Sequence, residues 1–280
     1  MSKIIYTTGL TGFIGQCFLK KLVNEYDVTI NFGRDKKITV YQSYLKPIYK
    51  DFNLNELEIY PSENIFHLAG YYNPRPVNLV EENQLEESNF NFPFSLCSSL
   101  KKIGLKKIIS TSSYMQLLDL EDQNLYSETK SKFISWAKSE FEVTEIFLFD
   151  TFGPHDQRNK ALDVFIRNSI LNQDINIPSC RIDINLTHVE EVARSLVGST
   201  KLSPGQYTIM SNNQTTIKEL AIAVISLNTT STKIKTKLEG NNFFENINSF
   251  PKNIYLKTLE LDFHEQIQER YNEIKQTYCL

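Results

Sequence analysis

A strand, a glycine-rich turn and a helix follow one another at the start of the chain, and that succession limits the fold more than any later stretch. Lys3-Ile4-Ile5-Tyr6-Thr7 is short, apolar and β-branched, the pattern of a buried strand. Thr8-Gly9-Leu10-Thr11-Gly12-Phe13-Ile14-Gly15 comes next, with two residues between successive glycines. From Phe13 to Glu25 the apolar residues Ile14, Cys17, Phe18, Leu19, Leu22 and Val23 suit one helical face. Such a unit suits a dinucleotide. Gly9 permits the tight turn, Gly12 lets backbone approach a pyrophosphate, and Gly15 lets helix pack close on strand. The amides at the helix start, aided by the helix dipole, then face the phosphates. Thr11, Phe13 and Ile14 join the three glycines as candidate cofactor contacts. Three glycines alone would make only a loop; their place between strand and helix carries the inference.

With 280 residues the chain can bury a core without metal or disulfide, and 41% hydrophobic with 22% charged residues is ordinary for a globular protein. A net charge of -3 without a basic run argues against nucleic acid as a partner. No apolar stretch approaches the roughly 20 residues that cross a bilayer. Met1-Ser2-Lys3 leads directly into the first strand, so no signal peptide and a cytoplasmic location are expected. Cys17, Cys97, Cys180 and Cys279 are scattered without ligand-like spacing, which favours reduced thiols over disulfides or a metal site.

Asp27 to Phe32 reads as the second strand, followed by Gly33-Arg34. NAD sites of this kind usually carry an acid at that strand end, to hold the ribose hydroxyls. Phe32 in its place, with the Arg34 guanidinium beside it, favours the 2′-phosphate of NADPH over NAD. Arg34 as a solvated loop charge is the alternative. Further strands are expected at Asn64 to Gly70, ending in Leu68, Ala69 and Gly70, at Lys106 to Ser113, and at Val143 to Phe149. Helices are expected from Val77 to Lys102, broken or kinked at Pro93, and from Leu125 to Phe141. His67 reads as a packed histidine. The alternation predicts an α/β fold, a doubly wound parallel sheet of the Rossmann type over residues 1–150.

Beyond Asp150 the pattern loosens. Helices are expected at Lys160 to Leu171, from the capping box of Thr216 and Glu219 through Leu227, and at Phe263 to Lys275. Strands are expected at Ile182 to Val189 and Gln206 to Met210, with Asn241 to Pro251 irregular. Residues 151–280 therefore read as a smaller substrate lobe, partly woven back onto the first domain.

Tyr126-Ser127-Glu128-Thr129-Lys130 sets a phenol and an ammonium one turn apart on a single helical face. The positive charge favours phenolate, so the tyrosine can pass a proton near neutral pH, and the lysine can also hold a ribose. Tyr271-Asn272-Glu273-Ile274-Lys275 repeats the spacing. Only Tyr126 follows a strand ending in hydroxyls, Thr111-Ser112-Ser113, so the second pair reads as a surface coincidence.

Together these motifs resemble the extended short-chain dehydrogenase/reductase family, in particular its nucleotide-sugar branch. The resemblance implies Tyr126 as catalytic acid, Lys130 as its partner, and Thr111 as the hydroxyl that holds the substrate oxygen, with Ser112 the nearest competitor. It implies that Asp51 and Phe52 touch the adenine, unless Asp51 caps a short helix from Asn53 to Glu58. His67-Leu68-Ala69-Gly70 is similar to a step running beside the nicotinamide, and Asn89 to a bridging asparagine. Asp150-Thr151-Phe152-Gly153-Pro154 stands where the branch has Asn-x-Tyr-Gly-Pro, and the Asp resembles reductases of the abequose and paratose synthase kind. Arg158 and Lys160 would then meet a substrate diphosphate, or else be solvated charges at a helix start. Relatives commonly pair the helices at Val77 to Lys102 and around Tyr126, which implies a homodimer.

Dehydratases of the branch carry an acidic pair after the strand-end threonine, where this chain has Ser112-Ser113. Fucose-synthase-like enzymes place a cysteine there, and Ser112 to Gln116 holds none. An epimerase recycles its cofactor, typically NAD, whereas Phe32 to Arg34 points to the consumable NADPH. What remains is NADPH-dependent reduction at C4 of a nucleotide-linked 4-keto-6-deoxyhexose or its 3,6-dideoxy form, in deoxysugar or O-antigen biosynthesis. A nucleotide-sugar epimerase and a non-catalytic NADP-binding regulator are the alternatives.

Overall fold

In the computed structural model the elements begin with β1 (Ile4–Thr8), α1 (Phe13–Glu25), β2 (Val28–Phe32), β3 (Lys37–Gln42), β4 (Ile48–Asp51), α2 (Leu54–Leu57) and β5 (Asn64–His67). Next come α3 (Leu79–Glu86), α4 (Phe92–Lys101), β6 (Lys107–Ser113), α5 (Leu125–Glu140), β7 (Glu142–Leu148), β8 (Asp150–Phe152), α6 (Ala161–Ile170), β9 (Ile175–Pro178) and β10 (Asp183–His188). The chain continues through α7 (Val189–Gly198), β11 (Gly205–Ile209), β12 (Gln214–Thr216), α8 (Ile217–Ser226), β13 (Ile234–Leu238), β14 (Lys252–Asn253) and α9 (Phe263–Thr277). The structure describes residues 2–35, 37–42, 46–57, 61–119, 124–228, 231–240, 242–247 and 249–278. Met1, Glu58, Asn241 and Cys279 of the sequence reading lie outside them.

Two compact units divide the chain. The first comprises Met1–Leu148, Ala193–Thr208 and Pro251–Ile254. Its nine-stranded sheet has the order β14-β11-β7-β6-β5-β1-β2-β3-β4. β1 lies between β2 and β5, and the pairings β2-β1, β1-β5, β5-β6 and β6-β7 are all parallel, a Rossmann-like arrangement.

One edge departs from the expected alternation. β2 turns at Gly33, whose N–H donates to the Lys37 carbonyl at 2.8 Å, and returns as β3 antiparallel to it, with β4 antiparallel in turn. The cause is a period-2 run, Ile38-Thr39-Val40-Tyr41, too short and too β-branched for a crossover helix. Ile38 and Val40 pair across from Phe32 and Ile30 and join the same buried core.

The expected long helix is also divided. α3 passes through a π-turn, Glu87–Asn91, before α4 begins with Pro93 in its first turn. Proline has no N–H and its ring crowds the carbonyl four residues back, and the wider turn accommodates both.

The second unit comprises Phe149–Val192, Ile209–Phe250 and Tyr255–Leu280. It contains a three-stranded sheet, β12-β10-β8, and the parallel pair β13-β9. Its core joins Phe152, Phe165, Ile166, Leu220, Ile267 and Tyr271. The capping box that opens α8 forms as the spacing predicts, with Glu219 N–H donating to Thr216 Oγ1 at 3.1 Å and Thr216 N–H to Glu219 Oε2 at 2.8 Å. Tyr271 requires a correction. It is not a surface residue but 2% exposed, because Ile267, Tyr271 and Ile274 form the apolar stripe of α9 while Lys275 points to solvent.

Candidate active site

The glycine turn is fixed by close approach. Gly9 has φ +79°, and a methyl group there would lie 2.5 Å from the Ala69 nitrogen; at Gly15 it would lie 2.0 Å from the Gly9 carbonyl oxygen. Gly12 is the N-cap of α1 and offers no side chain, so the positive end of the helix dipole is left as an anion-binding feature. Asn31, not anticipated from sequence, accepts the Leu10 N–H on Oδ1 at 3.1 Å and steadies the turn from the neighbouring strand. An asparagine inside a buried strand was the available signal.

Gly9, Thr11 and Gly12 line one side of an open groove of about 620 Å³ in the first unit, and Leu68, Ala69 and Gly70 line another. Phe13, Ile14 and Gly15 form the first turn of α1 and are not among the lining residues. Gly33, Arg34, Asp35 and Lys37 border the groove at the β2-β3 turn. Arg34 donates through Nη1 to Ser88 Oγ in the π-turn. The Asp35 carboxylate accepts the Lys37 N–H at 3.2 Å. Asp51 and Phe52, expected beside the adenine, are not among the residues that line the groove. Phe52 packs edge-on to Phe32 at 5.6 Å between ring centres, and the hairpin brings Thr39 and Tyr49 to the groove instead.

At the end of β6 alternate residues face opposite sides of the sheet. Thr111 is buried and donates to the His67 carbonyl at 3.4 Å. Ser112 faces the other way and donates to Glu145 Oε1 at 3.0 Å. The buried Glu145 carboxylate also receives Lys138 Nζ at 2.8 Å and Gln206 Nε2 at 3.0 Å. Ser113 returns to the Thr111 face and caps the 3₁₀ turn Tyr114–Leu117, accepting the Met115 N–H at 3.3 Å.

α5 opens with Asn124, whose Oδ1 accepts the Ser127 N–H at 3.0 Å. Tyr126, in the first turn and half-buried, meets the Tyr72 ring edge-on at 5.1 Å. One turn later Lys130 is buried, and that burial lowers its pKa to about 8 against the opposing pull of the Glu145 carboxylate. A methyl group on Gly70 would lie 3.6 Å from Lys130 Nζ and 3.2 Å from Asn89 Oδ1, so groove wall, lysine and asparagine meet there. Asn89 accepts the Tyr71 N–H at 2.8 Å and donates to the Tyr71 carbonyl and to Thr129 Oγ1, both at 3.2 Å. It ties the groove wall to the helix of Tyr126 and Lys130.

His67 is a core group. Thr8 Oγ1 accepts the Ala69 N–H at 3.1 Å and shares a hydrogen bond of 2.8 Å with His67 Nδ1. Burial first, and then the Lys130 charge, lower its pKa to about 3.

In the second unit Lys160 Nζ pairs with Asp150 Oδ1 at 3.4 Å. Arg158 grips Asp156 through Nε at 2.8 Å and Nη2 at 2.7 Å, and also donates to the Thr151 carbonyl and hydroxyl. Arg158, read from sequence as a diphosphate ligand or a solvated charge, is thus engaged by partners within its own loop and strand. Among the described residues no three His, Cys, Asp or Glu side chains are grouped to hold a metal, and no helix is long and apolar enough to cross a membrane.

The NAD dependent epimerase/dehydratase family matches residues 5–199 of the sequence. The chain belongs to this family. CDP-abequose synthase from Yersinia pseudotuberculosis is 22% identical over 233 residues, covering 77% of this chain and 81% of that protein. UDP-glucose 4-epimerase from Thermus thermophilus, solved with NAD, superposes with a TM-score of 0.69 at 13% identity, over 97% of this chain and 99% of that one. RMD from Pseudomonas aeruginosa, solved with NADPH, gives 0.68 at 14% identity, over 99% and 100%. At such identities the structural likenesses establish the fold. In this epimerase/dehydratase chain that fold is the extended short-chain dehydrogenase/reductase one, and the family is nicotinamide-dependent.

The buried His67 makes the family fold acid-sensitive here. Between about pH 6.5 and pH 3 the unfolded chain binds a proton that the folded ring refuses, so stability falls as pH falls. The loss from this ring is about 2 kcal/mol at pH 5, taking 6.5 for the unfolded group. His67→Asn, whose amide can pair with the Thr8 hydroxyl as donor or acceptor, should lose about that much less than the unmodified protein between pH 7.5 and 5.0 in urea unfolding. Equal losses would show that His67 is not held neutral.

Proposed function

We propose that the chain is an NADPH-dependent reductase acting at C4 of a nucleotide-linked 4-keto-6-deoxyhexose, or its 3,6-dideoxy form. The observation that carries this reading is the Tyr126–Lys130 pair beside the Gly70 groove wall, with hydroxyls and no carboxylate pair or cysteine at the end of β6. The CDP-abequose synthase likeness supports the substrate class.

The residues fit a nicotinamide cofactor. Gly9 and Gly15 leave no room for a methyl group, and Gly12 leaves the helix start uncapped, as close approach of a pyrophosphate requires. Thr11 and Gly12 would hold the pyrophosphate, Leu68, Ala69 and Gly70 would border the nicotinamide half, and Gly33 and Arg34 would meet the 2′-phosphate. When bound, NADPH supplies the hydride for the keto carbon. Tyr126 gives its phenolic proton to the oxygen that becomes the hydroxyl, and Lys130 stabilises the phenolate left behind and orients the ribose. Thr111 steadies the same oxygen, exchanging its 3.4 Å bond to the His67 carbonyl, already long, for one to substrate. Lys160 and Asp150 serve the sugar nucleotide. With a ketone, NADPH and a proton consumed, the products are the alcohol and NADP⁺.

A second reading has an observation of its own. Asp35 borders the groove two residues past Gly33, and a carboxylate there suits the ribose hydroxyls of NAD, hence an epimerase. Against it, that carboxylate already accepts the Lys37 N–H, while Arg34 and Lys37 supply two cations at the same border.

Three measurements test the proposal. NADPH should bind markedly better than NADH, and Arg34→Ala should cost about 1–3 kcal/mol of NADPH affinity; equal dissociation constants for the two cofactors would reject the 2′-phosphate reading. Tyr126→Phe should lower turnover about 10²–10⁴-fold with NADPH binding retained, and each product should form with one NADPH oxidised. Product without net oxidation would make the enzyme an epimerase. Finally, Val77 (82% exposed), Leu79 (73%) and Val80 (75%) form an apolar surface on the first unit that suits a second copy of the chain. Sedimentation at micromolar concentration should give a dimer, and Val80→Glu should shift it to monomer; a monomeric unmodified protein would rule this out.

A further inference from the structure

We propose that Arg270, on the terminal helix, is a positioning residue that holds the loop from Gly153 to Lys160 in the shape that presents Asp150 and Lys160 to the nucleoside diphosphate of the substrate. The inference rests on the reading above that these two residues serve the substrate.

The loop turns through two left-handed residues. His155 has φ +64° and Asn159 φ +56°, a region uncommon outside glycine in which Asn and His are the favoured side chains. Each is tied to a helix. The His155 N–H donates to Glu273 Oε1 of α9 at 2.8 Å, and Asn159 Oδ1 accepts Arg167 Nη2 of α6. Arg270 joins these anchorages. Its Nε and Nη2 form a fork on the Asp163 carboxylate at 2.9 and 2.8 Å, its Nη2 also donates to the Asp156 carbonyl at 2.6 Å, and its Nη1 donates to Glu273 Oε2 at 2.6 Å.

The positional consequence runs through two short paths. Asp163 lies in the first turn of α6, three residues after Lys160, the N-cap of that helix, so fixing Asp163 fixes the base of the lysine. Asp156 receives Arg158, which reaches the Thr151 carbonyl at 2.8 Å, and Thr151 adjoins Asp150. Both arms of the Asp150–Lys160 pair therefore lead back to one guanidinium. Arg270 and Asp163 are buried, and they stand 107 residues apart in the chain. A lysine cannot replace the fork, because an ammonium lacks the planar pair of donors.

The test compares the unmodified protein with Arg270→Met, Arg270→Lys, Glu273→Ala and Lys160→Ala. Tryptic cleavage after Arg158 and Lys160 reports the loop, calorimetric titration with CDP, UDP and dTDP reports the substrate side, and NADPH titration reports the first unit. In Arg270→Met, loop cleavage should quicken and affinity for the best of the three nucleotides should fall, each by about tenfold, with NADPH affinity within about twofold. Arg270→Lys should not rescue either readout. If Arg270→Met does not fold, Glu273→Ala, which keeps the Asp163 fork and removes the His155 anchor, should show the same split to a smaller degree. Unchanged loop cleavage in the folded variants overturns the inference. So does nucleotide affinity that is unchanged by Arg270→Met and reduced by Lys160→Ala, an outcome that leaves the substrate reading standing. If none of the three nucleotides binds the unmodified protein, or Lys160→Ala leaves their affinity unchanged, the substrate reading itself fails and the inference with it.

Discussion

The backbone of α1 passes so close to the turn after β1 that no side chain fits between them. A methyl group on Gly15 would sit 2.0 Å from the Gly9 carbonyl oxygen, inside any tolerable contact, and one on Gly9 would strike the backbone at Ala69. That proximity sets the distance of the first helix from the sheet and brings the uncapped helix start to the groove. It also joins β1 to the end of β5, where Leu68, Ala69 and Gly70 form the groove's other wall. The groove exists because three backbone segments meet without side chains between them.

Around this frame the first unit buries charge in a graded way. Lys130 loses hydration and keeps its proton only up to about pH 8, and the Glu145 carboxylate, itself held by Ser112, Lys138 and Gln206, limits that loss. His67 is buried too, and the nearby lysine charge adds to the reasons for its neutrality. The ammonium thus has the buried Glu145 carboxylate as a counter-charge, and it lies beside Gly70 at the groove wall. Asn89 can serve groove wall and helix at once because the π-turn around it breaks the regular spacing of the helix ahead of Pro93.

The second unit uses ionic contacts in a different manner. Its core is apolar, but the segment after β8 is held by guanidinium groups that satisfy carbonyl and carboxylate oxygens together. Arg158 and Arg270 each bring several directed donors to groups that would otherwise stay unsatisfied where water is scarce. Arg158 thereby braces the loop, where its position in the sequence suggests a diphosphate ligand or a solvated charge.

The local sequence alone determined the opening strand, turn and helix, the parallel strands that follow, the capping box at Thr216 and the interruption near Pro93. Each depends on neighbours a few residues away, through hydrophobic period, glycine placement or a missing N–H. The Tyr126–Lys130 pair was legible for the same reason, as one helical turn fixes its spacing. Only the tertiary structure decided which face a residue occupies and what it meets there. Ser112 and Thr111 are adjacent in sequence, but the strand turns them to opposite sides, one to Glu145 and the other to His67. Tyr271 repeats the spacing of Tyr126 yet lies in a core, because the apolar stripe of α9 needs it there. The β3-β4 hairpin, which brings Thr39 and Tyr49 to the groove, follows from burying Ile38 and Val40 beside Ile30 and Phe32. Short motifs carry local geometry, whereas the partners of a charge or hydroxyl come from segments up to 118 residues away and emerge only when the chain packs.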